Sequence, residues 1–352
     1  MRTSAFWAHA LALVLGSGCG HEPSGAPAPS NAPEGVAARR FATEPIQALS
    51  MPDERAPELV ELGARLFFEA RLSRDASISC ASCHDLDQGG DDGRALPLGI
   101  DQRQGHLNTL SVLNAALNTA YFWDGRAQSL EAQVEGPIGA ADEMASNWPD
   151  IVGRLSRGPS YARQFAVCFE QGITADTVKR ALSAFERRLI TTGSRFDRWL
   201  EGDTSALTPL ELEGYAVFKS VGCTACHQGR NLGGNMFERL GVMGDYFAER
   251  GNVTAADNGR FNVTHDEDDR HVFRVPTLRN VELTAPYFHD GSTPTLQQAV
   301  RVMARFQLGR QLSEGQITTV VAFLKTLTAP LPADVRSLID RARAPTAGLE
   351  SQ

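Results

Sequence analysis

Apolar residues recur at helical spacing in several stretches of the chain. Leu59, Leu62, Leu66 and Phe67 share one face. Thr174 stands as an N-cap before Val178, Leu182, Phe185 and Leu189, which share another. Thr208-Pro209-Leu210-Glu211 is a capping box with proline at the first helical position, so a helix starts there and runs toward Cys223. Ile317, Val320, Val321, Leu324 and Leu327 make a last apolar face. Residues 85–107 and 228–275 are rich in Gly and Asp and carry no period. Loops of that length are either disordered or functional. The pattern predicts a mainly helical chain with long loops. No internal run approaches about 18 apolar residues, so no membrane span is predicted beyond the N-terminus.

The N-terminus is patterned differently. Arg2 precedes the apolar run Ala5 to Leu15, and Gly16-Ser17-Gly18 leads to Cys19. This is the layout of an export signal over residues 1–18, against the alternative of a short buried helix. Leu-Gly-Ser-Gly-Cys is also similar to a bacterial lipoprotein cleavage site, with Leu15 one position too far upstream. Two readings stay open: a lipid anchor on Cys19, or an unlipidated exported chain. Residues 19–56 hold Pro23, Pro27, Pro29, Pro33, Pro45 and Pro52 among Ala, Ser and Gly, and read as a flexible tether.

Length and charge narrow the class. A chain of 352 residues exceeds what one core usually serves, so two domains are expected, over residues 57–204 and 205–340. With 34 Lys+Arg against 42 Asp+Glu the net charge is −8, which argues against nucleic acid and against a basic membrane-surface patch. Six Cys are too few for a disulfide scaffold of this size.

Four of those Cys fall in one repeated motif. Cys80-Ala81-Ser82-Cys83-His84 and Cys223-Thr224-Ala225-Cys226-His227 both read CxxCH. This spacing lets two thiols add across the two vinyl groups of one haem and sets the adjacent His under the iron. Zinc sites made of two CxxC pairs want about 15–20 residues between the pairs. A thiol–disulfide couple leaves the His unexplained in both copies. Two covalently attached c-type haems are therefore predicted, with His84 and His227 as proximal ligands. Such attachment takes place outside the bacterial cytoplasm, in keeping with an export signal.

The chain repeats itself around these motifs. Gly63-x-x-x-Phe67 precedes the first and Gly214-x-x-x-Phe218 the second. Asn114, Leu117, Tyr121, Phe122, Asp124, Gly125, Leu130 and Val134 recur 166 positions later as Asn280, Leu283, Tyr287, Phe288, Asp290, Gly291, Leu296 and Val300. Ala184-Phe185 with Leu189 is echoed by Ala322-Phe323 with Leu327. An internal duplication of one haem-binding unit is the simplest account.

The segments LGARLFFEARLSRDASISCASCH, VLNAALNTAYFWDGRAQSLEAQVEGPI, GCTACHQGRNLGG, VFRVPTLRNVELTAPYFHDG and VMARFQLG resemble the bacterial di-haem cytochrome c peroxidase family, over about residues 57–330. The resemblance implies an all-α fold of two cytochrome c-like haem domains in the periplasm. It implies reduction of hydrogen peroxide to water at the N-terminal haem, with electrons from a small cytochrome c or cupredoxin entering at the C-terminal haem. Many relatives are dimers, so a homodimer stays open.

The same resemblance assigns roles to single residues. Met303, in VMARFQLG, falls where the family places the sixth ligand of the electron-transfer haem, and His/Met ligation raises a haem's potential. Glu143 is the candidate base that moves the peroxide proton, with Gln133 as its positioning partner. Trp123 matches the family's Trp between the haems, and His289 takes that place in the second repeat. Asn108, Thr284 and Pro286 fall where the family binds calcium, a cation suited to oxygen ligands. Read without the family, Met303 and Trp123 are core residues and Glu143 is a surface Glu in a loop from Ala140 to Asn147.

One position departs from the family. Most members carry a His in the loop after the first haem that caps the peroxidatic iron. Here the aligned residue is Ile100, and His106 lies nearby. The first iron is therefore expected to be open at rest, with capping by His106 as the alternative. Cys168, among Phe165, Val167 and Phe169, reads as a buried thiol, and His265 and His271 read as surface-loop residues. Two other functions compete with the peroxidase. One is a di-haem oxidase acting on a partner protein, as in tryptophylquinone maturation, whose members have Tyr where Met303 stands. The other is a non-enzymatic electron carrier, which Glu143 and the missing cap argue against.

Overall fold

The computed structural model describes residues 43–53 and 56–344. The predicted signal over 1–18, Cys19 and tether residues 20–42 lie outside the described residues. The described chain is mostly helical. Its first part runs α1 (Pro57–Phe67), α2 (Leu130–Gln133), α3 (Glu135–Gly139), α4 (Trp148–Ser156), α5 (Pro159–Cys168), α6 (Ala175–Glu186) and α7 (Arg195–Leu200). Its second part runs α8 (Pro209–Val221), α9 (Tyr246–Arg250), α10 (Phe261–Thr264), α11 (Leu296–Val302), α12 (Glu314–Lys325) and α13 (Ala333–Arg343). A two-stranded antiparallel ribbon pairs β1 (Phe237–Arg239) with β2 (Val272–Arg274), Phe237 opposite Arg274.

The predicted helix starts are present. Thr174 Oγ1 accepts from Thr177 N at 3.1 Å, and Thr208 Oγ1 accepts from Glu211 N at 3.4 Å. Helices α6 and α12 end at Glu186 and Lys325, so Leu189 and Leu327 lie just past them, both fully buried.

Two helix pairs carry the two cores. Helix α1 packs on α6, and α8 packs on α12. Both pairs close through a glycine. A Cβ on Gly63 would stand 1.9 Å from Ala181 O, and one on Gly214 would stand 1.9 Å from Thr319 O. Around each core the chain repeats the same unusual geometry. Asn114 and Asn280 are left-handed at φ 60° and 58°, and Phe122 and Phe288 at 67° and 71°. Tyr121 bridges to Ala127 as Tyr287 bridges to Thr293.

Two terminal segments pack away from the units that the sequence assigns them. Part of the expected tether is anchored. Ile46 is buried in the second core, Leu49 N donates to Asp197 Oδ1 at 3.2 Å, and Glu44 accepts from Tyr215 Oη at 2.6 Å. At the other end, Leu331 and α13 residues Val335, Leu338 and Ile339 join the first core, and Arg188 pairs with Asp334 at 2.8 Å. Each unit thus borrows a strap from the far end of the chain. The long 228–275 stretch is also less irregular than its composition predicts, since it holds β1, α9, α10 and β2.

Replacing Gly63 or Gly214 by Ala is expected to cost about 3 kcal/mol or more, because the new methyl meets rigid backbone. Gly153 in α4 has open space around its Cα, and Ala there is expected to stabilise by about 0.5–1 kcal/mol. Urea unfolding of the three variants checks this, and a mild G63A overturns the close-approach argument.

Candidate active site

Two cavities sit against the two CxxCH motifs. In both motifs the first three residues form a 3-10 turn, Cys80–Ser82 and Cys223–Ala225. The turn folds the His back, with His84 N bonded to Cys80 O and His227 N to Cys223 O, each at 3.0 Å. Helix α8 delivers its turn through Gly222, left-handed at φ 106°.

The first cavity, of about 390 Å³, is lined by Cys80, Cys83, His84, Gln133, Glu143 and Glu186 among others. The second, of about 220 Å³, is lined by Cys223, Cys226, His227, Met303, Thr284 and Pro286 among others. These walls fit a haem by the chemistry of their donors. His84 Nδ1 lies 3.0 Å from Gly90 O, and His227 Nδ1 lies 3.1 Å from Leu232 O. That bond places the ring proton on Nδ1 and leaves Nε2 as the free donor, as in metal-bound histidine. Burial lowers both imidazoles below their ordinary pKa, which keeps them neutral. None of the four motif cysteines is tied up in a disulfide.

The polar groups are distributed unequally. Gln133 closes α2 and Glu143 follows α3, and both face the first cavity only. Burial, with Asp142 alongside, raises the Glu143 carboxyl above the usual carboxylate range, while Arg126 pulls it back. Its main chain is fixed by Ile100 N, which donates to Glu143 O at 2.8 Å. Met303 opens a π-helical turn, Met303–Gln307, that continues α11. Such turns often mark functional positions.

The loop residues after the first motif are placed plainly. Ile100 is fully buried but lies outside the cavity wall. His106 does line the cavity, at its rim, with an 85% exposed side chain 3.8 Å from Asp142 Oδ2.

Trp123 lines both cavities, as do Asn108, Ser111, Asn118 and Arg274. Trp123 Nε1 donates to Asn108 O at 2.9 Å, and Asn108 N donates to His289 O at 2.7 Å. The Asn108 side-chain nitrogen donates to Arg94 O at 2.8 Å. Asn108, Thr284 and Pro286 thus share the wall of the second cavity.

Two residues behave differently from their sequence reading. Cys168 is half-buried, and its neighbour Val167 faces solvent, because only one side of α5 meets the core. His271 is half-buried. Its ring stacks on Phe247 at 4.0 Å, and Nδ1 lies 2.7 Å from Asp257 O. His265 is exposed, as expected.

Some residues of the site escaped the sequence reading. Glu186 lies in the wall of the first cavity, and burial pushes its carboxyl up to about 8. The one available signal was an acid four residues after Leu182, on the apolar face of α6. Asp257, His289 and Asp290 gather behind Trp123. Arg250 bonds both carboxylates there, which makes the group an ion-pair cluster.

Relatives place the chain. The sequence model of the family described as di-haem cytochrome c peroxidase matches residues 57–205. The chain is 46% identical over 292 residues to cytochrome c551 peroxidase of Nitrosomonas europaea, covering 83% of this chain and 86% of that protein. It is 44% identical over 285 residues to cytochrome c peroxidase Ccp of Escherichia coli, covering 81% of this chain but only 61% of that longer protein. A solved structure of a MauG-like protein associated with microbial copper homeostasis superposes with TM-score 0.71 at 28% identity, over 83% of this chain and 95% of that one. The twin-motif helical architecture and these likenesses agree, and the chain belongs to the di-haem cytochrome c peroxidase family.

Proposed function

We propose that this protein is an exported, periplasmic cytochrome c peroxidase that reduces hydrogen peroxide to water with electrons from a small cytochrome c or cupredoxin. The observation that carries this reading is the asymmetry of the two cavities: Gln133 and Glu143 face the first, and Met303 faces the second. In this reading residues 57–204 and 205–340 are duplicated haem domains, joined by the straps at either end. Cys80 and Cys83 would hold one haem and Cys223 and Cys226 the other through thioether bonds, with His84 as a ligand for the first iron and His227 and Met303 as ligands for the second. When bound, the haems supply the redox chemistry that peroxide reduction needs.

The protein's own groups move the proton and shape the electron path. Glu143 would take a proton from one peroxide oxygen and return it to the other, which leaves as water as the O–O bond breaks, while two electrons from the donor protein and two solvent protons carry the remaining oxygen to a second water. Its raised pKa suits both halves of that task. Gln133 orients the substrate by hydrogen bonds. Trp123, touching both cavities, shortens the gap that an electron crosses. Asn108, Thr284 and Pro286 are the proposed oxygen ligands of a calcium ion between the units. The acidic balance of the chain suits a donor with a basic docking face. The export signal falls outside the described residues, and no described helix is long and apolar enough to cross a membrane.

The buried Ile100 and the 85% exposed His106 side chain support the reading of a first cavity open at rest. Fully oxidised protein mixed with peroxide and pre-reduced cytochrome c is therefore expected to turn over at once, with a high-spin ferric signal at rest. Two low-spin haems and a lag until pre-reduction overturn the open site. No turnover under either condition, with a cupredoxin also tried, moves the reading to a partner-protein oxidase.

Glu143→Gln is expected to lower kcat/KM for peroxide by about 10²–10⁴-fold with haem content unchanged. In the parent protein the rate falls as pH drops through the raised Glu143 pKa, because the base form is lost. That acid limb disappears in E143Q. A pH profile retained in full by E143Q assigns the proton to another group.

A further inference from the structure

The wall between the cavities holds a charge that no carboxylate among the described residues answers. Arg274, the last residue of β2, is 3% exposed and lines both cavities. Its Nε donates to Phe122 O at 3.2 Å, and its Nη1 reaches only Val275 O at 3.5 Å. No carboxylate among the described residues forms an ion pair with it, and burial lowers it to about 10, so it stays charged at neutral pH. Arg279, just as deeply buried, shows the usual solution: Asp197 Oδ1 lies 2.6 Å from its Nη1. A buried guanidinium left unpaired costs several kcal/mol. The partner of Arg274 has to come from what fills the cavities.

We propose that Arg274 is an anion-binding residue that meets haem carboxylate side groups in both cavities, and that its charge raises the reduction potential of both haems. A planar fork of five donors can serve a carboxylate on each side, which a point charge cannot do as well. Reduction adds an electron beside this cation, so the cation favours the reduced form. The inference rests on the di-haem reading. The competing role is purely structural: the side chain would only pin the left-handed Phe122 carbonyl and so the Trp123 turn.

The test is a spectroelectrochemical titration of haem-loaded wild type, Arg274→Gln and Arg274→Lys, after haem per chain has been counted. R274Q is expected to shift the ferric/ferrous balance of both haems toward ferric by about tenfold, or about 59 mV for a one-electron couple. R274K is expected to recover most of that shift at neutral pH. Unchanged potentials in loaded R274Q leave the structural role and overturn the proposal. A shift at one haem alone overturns the shared role. Fewer than two haems in wild type overturns the di-haem reading, and this inference with it. Should R274Q fail to load, R274K decides. Its lysine loses charge as pH rises, so its potentials must then fall relative to wild type at the same pH. Glu143, Glu186, Tyr121 and His106, titratable groups of the same walls, are common to both proteins and cancel in that comparison. Parallel curves overturn the proposal.

Discussion

A glycine pressed against a carbonyl holds each half of this molecule together. The cavities occupy the place where a domain of this size would normally put interdigitated side chains. Gly63 against Ala181 and Gly214 against Thr319 let α1 meet α6 and α8 meet α12 at backbone distance. Phe67, Phe185, Phe218 and Phe323 then fill the space beside those contacts, with Phe67 and Phe185 edge to face at 5.3 Å. Helix α8 also leads directly into the turn that carries Cys223.

The two halves keep one scaffold and differ in what they hang on it. Each has a left-handed Asn that ties the turn to the end of the unit's closing helix. Asn114 Oδ1 accepts from Thr191 N at 2.9 Å, and Asn280 Oδ1 accepts from Ala329 N at 3.1 Å. Each then runs through a left-handed Phe into a short helix, capped by Ser129 in one case and Thr295 in the other. Repeated backbone with unlike side chains gives the two cavities different walls. The divergence falls at Trp123 against His289, at Glu143, and at Met303.

What was legible in the sequence is local. A CxxCH motif, a Thr cap and a Gly-x-x-x-Phe spacing each act within one or two turns, so the chain states them directly. The left-handed turns were visible only as a repeat of Asn, Phe and Gly identities. What was hidden depends on partners far along the chain. Periodicity marks an apolar face but not the segment that covers it. The Ile46 strap and the α13 strap therefore looked like a tether and a second-unit helix, although they bury against opposite units. Glu186 and Arg274 look like ordinary surface charges in sequence. Only the closure of the fold around a cavity turns them inward, while His271, in neither cavity wall, is half-buried by its stack on Phe247.

The buried cluster behind Trp123 bears on which side chain is free to act in the second cavity. His289 lines that cavity and is chemically a better iron ligand than a thioether. Its Nε2, however, lies 2.7 Å from Asp257 Oδ1, and the same carboxylate is bonded by Arg250 at 2.8 Å. Arg250 also bonds Asp290, so neither carboxylate can release its partner without stranding a buried charge. Phe273 stacks on the imidazole at 4.4 Å and Trp123 meets it edge-on at 6.3 Å, which closes the remaining room to rotate. The histidine is thus committed to holding the Trp123 wall in place. Met303, on a π turn and without a polar partner to lose, is free of such ties, in keeping with the ligand role proposed for it.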